Sequence, residues 1–116
     1  MSQTLTKLLD LIGEDATLAL VEARAGHMIY VPRDAKDATE LAKIIGLDAA
    51  RKLGQEFPGV PLQVPVAREW RVTIYSARGH TVPDIAFKVG SHIDTVRKIR
   101  RSNGLQRAQM DLFSDV

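Results

Sequence analysis

A repeat constrains this chain more than any other feature. "LLDLIGEDATLALVEARAGHMIYVP" (residues 8–32) and "LAKIIGLDAARKLGQEFPGVPLQVP" (residues 41–65) align without a gap at an offset of 33. Nine of the 25 positions are identical: Leu8/Leu41, Ile12/Ile45, Gly13/Gly46, Asp15/Asp48, Ala16/Ala49, Leu20/Leu53, Gly26/Gly59, Val31/Val64 and Pro32/Pro65. The match includes the punctuation of the chain as well as its apolar positions. In each copy a short apolar helix is expected to stop at a glycine (Gly13, Gly46), an aspartate two residues on (Asp15, Asp48) to cap a second helix, and a further glycine (Gly26, Gly59) to end it. An extended run follows, MIYV in the first copy and LQV in the second, and a proline, Pro32 or Pro65, stops each. Neither strand alone satisfies its backbone N–H and C=O groups. The copies are therefore expected to pair as a two-stranded antiparallel ribbon, with Tyr30 and Gln63 on partner strands, and to pack their helices around a pseudo-two-fold. A swapped homodimer, each copy pairing with a neighbouring chain, is the alternative assembly.

After the repeat, "VAREWRVTIYSARGH" (residues 66–80) spaces Val66, Trp70, Ile74 and Ala77 as one helical stripe, with Gly79 ending the helix. Trp70, at a core-periodic position, is expected to pack rather than to stack on a base. "TVPDIAFKVGSHIDTVRKIRRS" (residues 81–102) then holds two short helices. Ile85, Ala86 and Val89 form the buried side of the first, and Ile93, Val96 and Ile99 that of the second. Thr81 with Asp84, and Ser91 with Asp94, read as capping boxes, and Gly90 supplies the turn. Helix, glycine turn and basic helix is the pattern of a helix-turn-helix. The outward face of the second helix is expected to carry His92, Thr95, Arg97, Lys98, Arg100 and Arg101. Thr95 lies where base edges are met, the basic residues where phosphates are met, and His92 at the helix start suits either contact. The competing reading is a solvated basic face on a buried helix pair.

Charge decides between them only when it is divided along the chain. Residues 1–65 hold 7 Lys/Arg against 9 Asp/Glu, residues 66–108 hold 9 against 3, and the last eight hold none against 2. Positive charge is thus concentrated around the helix-turn-helix, as expected of a surface that attracts a polyanion and releases its counterions. Catalytic and metal chemistry find little support. The chain has no cysteine, His27, His80 and His92 lack metal-ligand spacing, and Asp34, Asp37 and Glu40 read as helix-start residues. No phosphate-binding glycine loop or nucleophile motif occurs, so neither an enzyme nor a cofactor is expected. No apolar run is long enough to span a bilayer and "MSQTLTKLLD" is unlike a signal peptide, so a cytoplasmic protein is expected, away from membranes.

Residues 41–101, about 60 positions or roughly half the chain, resemble the Mor family of transcription activators, the middle operon regulators of Mu-like phages. In that family a helical dimerisation region leads to a glycine-rich ribbon, an Arg-containing helix, a glycine and a helix-turn-helix. Gly59, Val64 and Pro65 match the ribbon element in the second copy, and Gly26, Tyr30, Val31 and Pro32 match it in the first. Arg71 and Gly79 match the Arg helix and its terminating glycine, and Ala86, Gly90, Thr95 and Val96 match the helix-turn-helix frame. The chain departs from the family where the double glycine is reduced to Ala25-Gly26 and Pro58-Gly59, where Ser91 replaces an apolar residue, and where the ribbon unit is duplicated. The resemblance implies a nucleoid-associated regulator in a bacterial host cell, binding double-stranded DNA through residues 92–102 with Arg71 and Lys88 as additional contacts. The ribbon (Gly26, Tyr30, Pro32, Gly59, Gln63, Pro65) would support it near the minor groove, and RNA polymerase is an implied partner. Within the tail, "QMDLF" resembles the pentapeptide that docks bacterial proteins on the replication sliding clamp, with Gln109, Leu112 and Phe113 as anchors. A replication-associated, clamp-binding protein is accordingly the alternative function. The expected fold is mainly α: a helical bundle with a short two-stranded antiparallel ribbon (1–65), a three-helix helix-turn-helix domain (66–103) and a flexible tail (104–116).

Overall fold

A computed structural model describes residues 3–104 of the chain. The protein is mainly helical with one two-stranded antiparallel sheet, and it divides into two compact units between Ala67 and Arg68. The first unit runs α1 (Gln3–Arg24), β1 (Met28–Val31), α2 (Glu40–Ile45), α3 (Leu47–Glu56) and β2 (Val60–Gln63).

The repeat is visible in the backbone. Gly13 interrupts α1 with φ 82 and ψ 175, and Gly46, between α2 and α3, has φ 90 and ψ 158. Both glycines take an extended conformation at positive φ that side chains disfavour, so each copy breaks its helix at the same point. The ribbon register pairs Met28 with Gln63, Ile29 with Leu62, Tyr30 with Pro61 and Val31 with Val60, all within one chain. Ile29 and Leu62 are separated by the repeat offset of 33, so their pair sits on the pseudo-two-fold. Exchanging the copies carries Met28–Gln63 onto Pro61–Tyr30. The flanking hydrogen bonds follow the same symmetry: Gly59 N–H donates to the Val31 carbonyl and Gly26 N–H to the Val64 carbonyl, each at 2.9 Å. On the inner face Ile29, Val31, Leu62 and Val64 are buried, and Leu8 with Leu41 and Leu20 with Leu53 fill equivalent places in the core.

The copies part company where α3 closes on the chain leaving β1. The buried position that is Val21 in the first copy is Gly54 in the second, and a Cβ there would stand 2.7 Å from the Pro32 carbonyl oxygen. Other local expectations are corrected. Gly46 itself is the N-cap of α3, without a side-chain bond, and Asp48 lies in the first turn. The helix resumes directly after the glycine, so no extended residue is left for an aspartate to cap from, and Asp15 stands in the same relation to Gly13. The capping side chain is Thr39, whose Oγ1 accepts from the Ala42 N–H at 3.4 Å at the start of α2. Of the carboxylates Asp34, Asp37 and Glu40, only Glu40 lies in a helical first turn, where it accepts from Arg24 Nε at 2.7 Å. Strand β2 begins at Val60, earlier than the LQV run suggests.

Two outcomes follow from this packing. A fragment of residues 1–67 is expected to fold and to sediment as a monomer at low micromolar concentration, and a stable dimer would contradict pairing within one chain. Gly54→Ala drives a methyl group into backbone, so chemical denaturation is expected to show a loss of about 1–3 kcal/mol.

Candidate nucleic-acid interface

The second unit packs three helices on one another: α4 (Arg68–Ala77), α5 (Val82–Val89) and α6 (Ile93–Ser102). Its first helix corrects the sequence reading by one face. Ala67 takes φ 49, a left-handed value through which a helix cannot run, so α4 starts at Arg68 and leaves Val66 exposed. The buried stripe is Arg71, Val72, Tyr75 and Ser76; Trp70 and Ile74 are half-buried and Ala77 is exposed. Helix α4 closes as expected at Gly79, with Gly79 N–H donating to the Ser76 carbonyl, His80 N–H to the Tyr75 carbonyl, and the His80 ring 5.3 Å from that of Tyr75.

Helix α5 buries Ile85, Ala86 and Val89, and Thr81 Oγ1 accepts from the Asp84 N–H at 3.3 Å at its start. Gly90, with φ 67 and ψ 37, ends it in the left-handed conformation, so that Gly90 N–H donates to the Phe87 carbonyl and Ser91 N–H to that of Ala86. Two arginines of α4 complete this end. Arg71 Nη2 donates to the Lys88 carbonyl at 2.8 Å and Arg68 Nε to the Val89 carbonyl at 3.4 Å. They place donors and positive charge at the carbonyl end of α5, where the helix dipole favours cations. Arg71 is only 7% exposed, so it is corrected from a nucleic-acid contact to a residue that holds α5 against α4.

Residues 90–92 link α5 to α6. The cap of α6 is His92 rather than Ser91, because His92 is the extended residue (φ −71, ψ 151) directly before the helix. His92 Nδ1 accepts from the Asp94 N–H at 3.1 Å, a bond that needs the Nδ1 lone pair and so leaves Nε2–H as the free donor. The Asp94 carboxylate, 3.6 Å from Nδ1, is the longer contact, and the backbone donor sets the tautomer. On the packed side Val96 is fully buried, Ile93 and Ile99 are half-buried, and Arg100 is 8% exposed. Arg100 is therefore corrected from the outward face: from Ile93 the stripe continues at i+3 and i+7, and i+7 is Arg100. The exposed side carries His92, Asp94, Thr95, Arg97, Lys98 and Arg101, with Asp94 and Arg97 paired at 3.7 Å. Lys88, on the exposed side of α5, holds its ammonium 5.5 Å from the Tyr75 ring centre.

The ribbon residues named from sequence belong to the first unit. Tyr30 and Gln63 point to the exposed outer face, Gly26 and Gly59 donate the paired flanking hydrogen bonds, and Pro32 and Pro65 are half-buried beyond the strands. Gln109, Leu112 and Phe113 lie outside the described residues. One residue that sequence reasoning passed over is Phe87. It is 89% exposed on α5, where an aromatic is ordinarily buried, and only its place opposite the Ile85–Val89 stripe signals that.

The chain matches no protein-family model, no curated protein and no solved structure. Among the described residues no cluster of His, Asp or Glu is arranged to hold a metal ion, and no helix is long and apolar enough to cross a membrane.

Replacing Arg71 by leucine strips the Lys88 carbonyl of its donor. The variant is expected to lose about 1–3 kcal/mol in chemical denaturation, whereas Arg97→Ala, on the solvent side, is expected to melt within a degree or two of the parent.

Proposed function

We propose that the protein is a sequence-specific DNA-binding transcription regulator of the type that the Mor resemblance implies, with α6 as the helix that enters the major groove. The observation that carries the reading is the segregation of α6. Its apolar residues and Arg100 face the unit's core, while His92, Thr95, Arg97, Lys98 and Arg101 share the solvent side. Supporting it are the charge of residues 68–104, eight Lys/Arg against three Asp/Glu, and the short glycine turn that joins α5 to α6.

The residues divide by chemistry. Arg97, Lys98 and Arg101 are long cations along the body and end of the helix and neutralise phosphates, as does Lys88 from α5. Thr95, in the first turn, meets base edges. Asp94 beside it accepts from a cytosine amino group and is repelled by phosphate, which makes it a selector rather than an anchor. The His92 Nε2–H donates to a base acceptor or to a phosphate oxygen at the helix start. Arg71 and Arg68 act behind this surface by holding α5, and through it the turn.

Fluorescence anisotropy with duplex DNA tests the proposal. Affinity is expected to fall steeply with salt, and removing Arg97, Lys98 or Arg101 singly is expected to flatten the log–log slope by about 0.9 each. Thr95→Ala and Asp94→Asn are expected to change sequence preference, by about 1–3 kcal/mol at one base pair, more than overall affinity. A protein that binds no duplex even at low salt would overturn the reading.

A further inference from the structure

We infer that one copy of the chain engages its DNA alone, at a site without two-fold symmetry, because the pseudo-two-fold is closed inside the chain and carries a single reading unit. The inference rests on the DNA-binding reading of α6. Helix-turn-helix proteins that bind as symmetric dimers read palindromes, since the operator mirrors the protein's own two-fold and presents two half-sites about one helical turn apart. Here the two-fold relates two halves of one polypeptide. The Ile29–Leu62 pair lies on it, and the Gly59 to Val31 and Gly26 to Val64 hydrogen bonds are exchanged by it at the same 2.9 Å.

The two halves continue differently. After its strand the second copy leads into the three helices of residues 68–102, whereas the first leads into residues 32–39, which contain no helix and balance Arg33 and Lys36 with Asp34 and Asp37. Among the described residues there is accordingly one basic three-helix unit for each completed two-fold. The β2 edge of the ribbon also opposes recruitment of another chain by strand addition. Pro61, in the middle of β2, has no N–H. Val64 N–H bonds the His27 carbonyl, which fixes the alternation of the ladder and turns position 61 toward the outer edge. An incoming strand would find a donor missing there.

A lone module of this size contacts duplex DNA over about 600–1,000 Å². With Arg97, Lys98, Arg101 and Lys88 on phosphates, the salt slope of one copy is about −4, and that of a symmetric pair about −7. The experiment is selection of duplexes from a random pool with the full chain, followed by native mass spectrometry and a salt titration of the selected complex. The expected result is an enriched sequence lacking two-fold symmetry, one 12.8 kDa chain per duplex, a hyperbolic isotherm and the shallower slope. A palindromic consensus, or two chains per duplex in any arrangement, overturns the inference while leaving DNA binding intact. Failure to enrich any sequence, with no binding at low salt, removes the DNA reading and the inference with it.

Discussion

Two backbone hydrogen bonds, Gly59 N–H to Val31 and Gly26 N–H to Val64, close the ribbon of the first unit at its two ends. A four-residue strand on its own leaves its peptide groups to water and its apolar side exposed, so each copy of the repeat is incomplete until the other supplies a partner strand. The rest of the unit is arranged to bring the strands together: glycines break the helices at 13 and 46, and the leucines at 8, 41, 20 and 53 lie in the core beneath. Where the chain leaving β1 approaches α3 too closely for a side chain, the repeat abandons its symmetry and places Gly54 opposite Val21.

The second unit meets a different constraint, which is to hold a short charged helix rigidly with little apolar material. It does so by satisfying helix ends. Gly79 and Gly90 close α4 and α5 with matching pairs of backbone bonds, Thr81 and His92 cap the starts of α5 and α6, and Arg68 and Arg71 donate to the last carbonyls of α5. With the turn fixed from several sides, the outward residues of α6 stand on a preorganised backbone, which would lower the ordering cost of binding the proposed DNA partner. Arg68 and Arg71 hold α5 in place, while Arg97 and Arg101 stay on the solvent side of α6.

Much of the architecture was legible in the sequence because its signals are backbone requirements. A glycine that must take positive φ, a proline that ends a strand and a hydroxyl that caps a helix leave recognisable marks, so the first unit and its ribbon pairing follow from the repeat and its punctuation, and the second unit from Gly79, Gly90 and Thr81. The site was legible in part. His92, Thr95, Arg97, Lys98 and Arg101 are exposed as their spacing suggests. Arg71 and Arg100 are not, because a long side chain at a stripe position buries its stem whatever its charge, and composition alone marks every arginine as surface. The one-face shift of α4 arises from Ala67, whose left-handed backbone no residue-type rule anticipates. His92 rather than Ser91 caps α6 because it is the extended residue directly before the helix, and its Nδ1 reaches the Asp94 N–H. Phe87, which the spacing of Ile85, Ala86 and Val89 left aside, shows that an apolar residue opposite a buried stripe follows its angle on the helix rather than its hydropathy.

Amide chemical shifts of the labelled protein titrated with duplex DNA test whether α6 is the DNA-reading surface. The largest perturbations are expected on residues 92–101 and on Lys88, with Ile29, Val31 and Leu62 in the ribbon core unmoved. Perturbations centred on the outer face of the ribbon, at Met28, Tyr30 and Val60, with α6 unaffected, would contradict it.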